Sequence, residues 1–227
     1  MATSGTDAGD SARPKVWSIV VAAGSGLRFG ARKQFLLLGG VSVLERSVGT
    51  AAAVSDGVVV VVPADAIDGE DIANTVDAEL IAVAGGMTRA ESVRAGLAHV
   101  PADCDVVLVH DAARPLASAE LFAAVVDAVE AGAEAVVPGV AIADTVRHRD
   151  TGVVDRTSLV AVQTPQGFPA GVLRRAHEFS HDATDDATLA EQVGASVVVI
   201  AGEATNRKIT DSVDLIAAEA IVQNSED

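Results

Sequence analysis

Ile19-Val20-Val21-Ala22-Ala23-Gly24-Ser25-Gly26-Leu27-Arg28-Phe29-Gly30-Ala31-Arg32-Lys33-Gln34 passes from an uncharged apolar run, through small residues, to a glycine pair followed by three cations. The apolar part predicts a buried strand, and two glycines one residue apart let the backbone turn sharply and approach a ligand closely. Successive N–H groups in such a turn form an anion-binding concavity, and Arg28, Arg32 and Lys33 place full charges just beyond it. Two familiar phosphate loops do not fit. A P-loop needs Gly-Lys-Ser/Thr after its second glycine, and a dinucleotide fingerprint needs a third glycine where this chain has Phe29. A plain tight turn accounts for the glycines alone, but not for the cations gathered behind them.

Outward from this stretch, strand patterns alternate with helical ones, which predicts an α/β fold with a doubly wound, mostly parallel sheet covered by helices on both faces. Ser42 is placed to cap a helix running to about Val54, and Val58 to Val62 reads as a strand apolar on both faces. A polar helix is predicted over Asp65 to Asp77, and further strands over Leu80 to Ala84, Asp105 to Val109, Glu134 to Pro138 and Ser196 to Ile200. Helices are predicted over Ser118 to Ala131, Ala170 to Phe179 and Asp211 to Val222. The alternation breaks at Asp144 to Arg156, which reads as two short strands joined by an Asp-Thr-Gly turn.

The 227 residues suffice for one substantial domain, expected over 15–224 behind a disordered tail at 1–14. Hydrophobic content of 49% with only 3% aromatic residues suits close-packed helices on a Val-rich sheet, and the lack of Tyr excludes tyrosine stacking on a base. A net charge of −16 argues against a nucleic-acid polymer or an anionic membrane as partner. It leaves a small anionic substrate open, because Arg28, Arg32, Lys33, Arg89, Arg114, Arg156, Arg207 and Lys208 all fall in loops or strand ends around motifs. Cys104 is the only cysteine, so no intrachain disulfide is possible, and with no apolar segment of membrane-spanning length a cytoplasmic protein is expected.

Four further motifs follow in order. Gly85-Gly86 precedes Thr88-Arg89-Ala90-Glu91-Ser92, where Thr88 and Glu91 have capping-box spacing, so the glycines lie ahead of a helix N-terminus that favours anions. The third, His110-Asp111-Ala112-Ala113-Arg114-Pro115, ends a buried strand, the place where ligands gather in open α/β sheets. Asp111 has a cap or an ion pair with Arg114 as its structural alternative, and His110 reads as structural. Gln163-Thr164-Pro165-Gln166-Gly167-Phe168-Pro169 is a stiff segment, and Thr184-Asp185-Asp186 reads as a solvated helix start in preference to a metal site. The last motif, Gly202 to Thr210, holds Lys208, one of only three lysines.

Ala22 to Arg28 with Lys33-Gln34-Phe35 resembles the signature of nucleotidyltransferases that join a sugar or polyol phosphate to a nucleotide. The later motifs narrow the resemblance to the 2-C-methyl-D-erythritol 4-phosphate cytidylyltransferases, over Val16 to Val222. Val21 and Arg32 stand where that family often has proline, and Arg207 where it commonly has an apolar residue. The resemblance implies that Ala22, Ala23, Gly24, Gly26, Asp111 and Ala112 bind CTP and that Gly86, Arg89 and Ser92 hold its cytosine base. It assigns Asp111, Arg114, Thr145, Arg156, Thr164 and Lys208 to the polyol phosphate, and makes Arg28, Lys33, Arg156 and Lys208 the catalytic set. It also implies that the hairpin, with its arm at about 142–160, exchanges contacts with a second subunit, so that Thr145 and Arg156 reach the partner's site in a homodimer.

The chemistry so implied is attack of a methylerythritol phosphate oxygen on the α-phosphorus of CTP, with departure of pyrophosphate. A phosphate nucleophile is already ionised near neutral pH and needs no general base, so the protein's task is positioning and neutralising charge. Mg²⁺ is expected as cofactor, held mainly by the triphosphate and water and not by a protein cage. Alternatives are the same transfer to ribitol 5-phosphate, a molybdopterin guanylyltransferase, and a CTP-sensing module without catalysis. Two lysines in separate motif loops speak against the sensing module, which has no need of a second anion site.

Overall fold

A computed structural model describes residues 13–24, 32–67, 78–179 and 183–225. In chain order its strands and helices are β1 Val16–Val21, β2 Leu37–Leu38, β3 Val41–Ser42, α1 Val43–Ala52, β4 Gly57–Val62, β5 Glu79–Ala84, α2 Arg89–Leu97, β6 Val106–Asp111 and α3 Ala119–Glu130. There follow β7 Ala135–Ala141, β8 Arg147–His148, β9 Gly152–Val153, β10 Val160–Val162, β11 Gln166–Pro169, α4 Ala170–Phe179, α5 Asp186–Gln192, β12 Val197–Ala201 and α6 Ser212–Ser225. The main sheet runs β10-β7-β11-β6-β1-β4-β5, with β12 also paired to β7. Within this sheet only β10 and β11, among the described strands, run antiparallel to their neighbours, so the mostly parallel sheet expected from the sequence is present.

Alternate residues of each buried strand feed opposite faces. Val59 and Val61 join Ile19, Val107 and Val109 beneath α2, α4 and α5, while Val58, Val60 and Val62 join Val20, Leu108 and Phe122 on the α1 and α3 side. That two-sided burial is why these strands read as unbroken apolar runs. A third cluster, Leu38, Val43, Ile209, Ala218 and Val222, seats α6 against the β2–β3 hairpin. The hairpin turns through Gly39 (φ 59°) and Gly40 (φ 76°), the left-handed pair that a tight two-residue connection requires. Ser42 and Thr88 cap α1 and α2 in full capping boxes with Glu45 and Glu91. Cys104 is buried, and burial pushes its thiol up to about 11, in line with a small apolar filler.

Several expectations need correction. The stiff Gln163–Pro169 segment contains a strand: β11 lies between β6 and β7, with Pro165 just ahead of it and Pro169 at its end, where a missing N–H costs little. The predicted polar helix begins as a 3-10 turn at Ala64–Ala66, and its 68–77 part lies outside the described residues. β6 runs two residues past Val109, so His110 and Asp111 are strand residues. The hairpin expected at 144–156 is present with only β8 and β9 paired; its turn, Arg149 to Thr151, closes on Gly152 (φ 108°), and Val153 is 65% exposed. Of the expected tail, residues 1–12 lie outside the described residues, and Arg13 pairs with Asp56.

Candidate active site

After β1 the chain builds β4 and β5 on one side of it, then returns to lay β6 on the other. That reversal makes a crevice at the carboxyl ends of β1 and β6, where register sets Val21 opposite Asp111. A cavity of about 620 Å³ opens there. Its walls are the β1 exit (Ala22 to Gly24), Lys33, the start of α2 with Gly86, Arg89 and Ser92, the β6 end with Asp111 and Ala112, and Lys208. Five segments of the chain thus meet at one end of the sheet.

The α2 wall is fixed by its cap. Glu91 accepts from the N–H groups of Met87 at 2.6 Å and Thr88 at 3.2 Å, while the Ser92 hydroxyl donates to Thr88 O at 2.9 Å and accepts from Gly86 N at 3.2 Å. A Cβ on Gly85 would stand 2.2 Å from that of Ala23, so glycine here lets the two loops touch.

Asp111 is the carboxylate of the cavity wall. It accepts from Arg89 Nε at 3.1 Å and from Lys208 Nζ at 2.6 Å. Burial alone would raise its pKa, but the charges of Arg89 and Lys208 outweigh burial and hold it far below the usual carboxylate range. Arg89 also donates to Asp186 at 2.7 Å, and Asp186 meets His177 Nε2 at 2.9 Å. Asp186 is fully buried, its carboxyl held down against the cost of burial by Arg89 and His177. The solvated helix start expected there is therefore corrected. Asp185 is the cap, accepting from Thr188 N at 3.0 Å, while its neighbour turns inward as counter-ion to Arg89.

Beneath Asp111 a chain of hydrogen bonds fixes the β6 end. Asp111 N–H donates to Thr164 Oγ1 at 3.0 Å, and that hydroxyl lies 3.1 Å from His110 Nδ1. His110 Nε2 meets the carbonyl of Arg114 at 3.1 Å, so Nε2 carries the hydrogen and Nδ1 accepts from Thr164. Burial pushes the imidazole down to about 4, which keeps it neutral in that tautomer at ordinary pH. The structural reading of His110 is matched.

Among the other expected site residues, Thr164 is buried under the cavity floor, where it supports Asp111. Arg114 lines a neighbouring cavity of about 560 Å³ that shares Lys208 and also includes Arg207. Its guanidinium donates to the carbonyls of Asn206 at 2.8 Å and Val162 at 3.2 Å. Thr145 and Arg156 are exposed on the hairpin and line neither cavity, and Arg156 donates to the carbonyl of Ala143. Gly26 and Arg28 lie outside the described residues. Lys33 Nζ donates to Ile209 O at 2.5 Å, so both motif lysines are anchored through the 208–209 segment and its contacts. Sequence reasoning missed Asp186, His177 and Gln34, the last of which lines the cavity beside Lys33.

The mostly parallel sheet, the crevice at its switch point and the two lysines that line it with Gly24 are those of an α/β nucleotidyltransferase. The chain belongs to the 2-C-methyl-D-erythritol 4-phosphate cytidylyltransferase (IspD) family, whose model matches residues 16–224. It is 44% identical over 218 residues to the 2-C-methyl-D-erythritol 4-phosphate cytidylyltransferase of Rhodococcus jostii, covering 92% of this chain and 95% of that one. It is 43% identical over 232 residues to the bifunctional enzyme IspD/IspF of Clavibacter michiganensis, covering 96% of this chain and 57% of the relative, so it spans little over half of that longer protein. The solved 2-C-methyl-D-erythritol 4-phosphate cytidylyltransferase of Thermus thermophilus superposes with a TM-score of 0.79 at 35% identity, over 92% of this chain and 99% of that one. The solved 4-diphosphocytidyl-2C-methyl-D-erythritol synthase of Anaerococcus prevotii gives 0.82 at 32%, over the same shares.

Proposed function

We propose that this chain is a cytidylyltransferase of isoprenoid precursor biosynthesis, which joins CTP to 2-C-methyl-D-erythritol 4-phosphate and releases pyrophosphate. The observation on which the reading rests is the convergence of Lys33 and Lys208 on one cavity whose wall carboxylate, Asp111, is kept ionised by Arg89 and Lys208. Two separate cations suit two phosphate groups brought together.

In this reading the Ala22 to Gly26 stretch receives the triphosphate, and the α2 start with Gly86, Arg89 and Ser92 holds the cytosine. Lys33, with Arg28, meets charge growing on the α-phosphate and the departing pyrophosphate. Lys208 turns from Asp111 to the incoming phosphate, with Arg114 on the adjoining wall. The attacking oxygen is already anionic, so no residue need remove a proton, and the rate comes from alignment and charge neutralisation. No cluster of three or more His, Cys, Asp or Glu disposed to hold a metal occurs among the described residues. Asp111 is the only carboxylate among the described residues lining this cavity, so the oxygen donors that suit a hard divalent cation are its carboxylate, the triphosphate and water. Mg²⁺ held there would supply neutralisation of the triphosphate charge.

The protein is read as a cytoplasmic homodimer joined through the hairpin arm. Val153, Val160 and Val162 are 65%, 41% and 40% exposed on the hairpin and on β10, apolar area that suits a second copy. No described helix is long and apolar enough to cross a membrane.

The test is magnesium-dependent pyrophosphate release, with methylerythritol phosphate and ribitol 5-phosphate in separate reactions and GTP as control nucleotide. Release with CTP and methylerythritol phosphate alone is expected. Release only with ribitol phosphate, or with GTP, would assign the substrate differently, and CTP binding without release would leave a sensing module.

A further inference from the structure

Where β1 leaves the sheet, its backbone groups are taken up by the neighbouring strands in turn. Val21 O accepts from Ala112 N at 3.0 Å on the β6 side, and Ala22 N donates to Val61 O at 2.7 Å on the β4 side. The carbonyls of Ala22 and Gly24, further along the chain, both accept from one nitrogen, Nε2 of Gln34, at 2.9 and 3.3 Å. Gln34 is only 4% exposed although it lies in the short 3-10 turn Lys33–Phe35 at the cavity edge. Its amide does the work that a third strand would do if the sheet continued.

The chemistry of the side chain suits this place. A primary amide presents two hydrogens from one uncharged nitrogen, enough for two carbonyls at once. Glutamate would present none, and lysine would bring a full charge beneath the turn. Carbonyl oxygens aimed at a polyphosphate would repel it, and the two at Ala22 and Gly24 are held toward Gln34 instead. The same three-residue turn also anchors Lys33, whose ammonium donates to Ile209 O at 2.5 Å. Gln34 thus ties the Ala22–Gly24 segment to the lysine segment, the two parts that must face one triphosphate together.

We infer that Gln34 is a positioning residue for the phosphates of the nucleotide: it holds the Ala22–Gly24 segment and fixes it relative to Lys33. The inference rests on the nucleotide-site reading above, and its test separates the two. Gln34→Met removes both donors at nearly constant length without adding charge, and Gln34→Glu keeps the shape but replaces donors by acceptors. In the full chain, magnesium pyrophosphate affinity is measured by calorimetry, kcat and KM are measured for each substrate, and the melting temperature is recorded for every variant. Both variants are expected to weaken pyrophosphate and to raise KM for CTP by about tenfold, with KM for methylerythritol phosphate within about twofold of the parent. Unchanged pyrophosphate affinity in Gln34→Met would overturn the inference, and so would an equal loss for both substrates, the mark of a general packing defect. If the parent binds pyrophosphate yet transfers no cytidylyl group, the functional reading fails, while the pyrophosphate comparison still decides the role of Gln34.

Discussion

Lys208 Nζ lies 2.6 Å from Asp111 Oδ2, and Arg89 Nε approaches the other oxygen of the same carboxylate at 3.1 Å. One anion therefore sets the position of two cations from different motifs. Asp111→Asn keeps the volume but releases Lys208, whereas Arg89 retains Asp186 as counter-ion. kcat/KM for methylerythritol phosphate is expected to fall by about 10- to 100-fold in steady-state assays.

Lys33 is assigned to charge that grows during the displacement, so its loss should act mainly on turnover. Lys33→Ala is expected to lower kcat on the order of 100-fold or more, with little change in KM for CTP. Near-normal turnover would remove Lys33 from the catalytic role.

The hairpin places Arg156 away from both cavities of its own chain. If it completes the partner's site, Arg156→Ala and Lys208→Ala, each nearly inactive, should complement on mixing. Random pairing makes half the dimers mixed, with one intact site in each, so about a quarter of parent activity should return. No recovery after demonstrated subunit exchange would place Arg156 outside the partner's site.

His110 is lowered from 6.5 to about 4 by burial, so between those values the unfolded chain binds the extra proton. Its contribution is complete above about pH 6.5 and is lost as pH falls toward 4, a span of about 3 kcal/mol. Asp111 and Asp186 are also lowered, and they titrate below this window. Denaturant unfolding at about pH 7 and about pH 5 should show the parent losing stability, with a smaller loss in His110→Gln. Equal slopes would contradict the assignment.

Asp186 is fully buried between Arg89 and His177. Removing one partner of a buried pair leaves the other uncompensated, so Asp186→Ala should cost about 3–5 kcal/mol of stability. Urea denaturation gives the figure, and the loss should exceed that in Asp111→Asn.

What was legible in the sequence lies within single segments. The apolar alternation of Val58 to Val62, the Thr88–Glu91 capping box and the lysines in motif loops each declare themselves from neighbours in the chain. What was hidden depends on residues far apart. Asp185 and Asp186 look alike as a pair, and only the approach of Arg89, 97 positions away, separates a cap from a buried counter-ion. β11 looked like a stiff connection because two prolines bracket it, and only its place between β6 and β7 reveals a strand. Gln34 has no role legible within the first motif, since the carbonyls of Ala22 and Gly24 that it serves are brought to it only by the fold.

The reaction proposed for this cavity is attack of a phosphate nucleophile on the α-phosphorus of CTP. Phosphorus NMR of the parent protein with CTP, Mg²⁺ and methylerythritol phosphate tests it most directly. A new pair of coupled diphosphate resonances, rising in step with free pyrophosphate as the CTP signals decay, is the expected result. Unchanged CTP, or its breakdown to CMP with no diphosphate product, would contradict the claim.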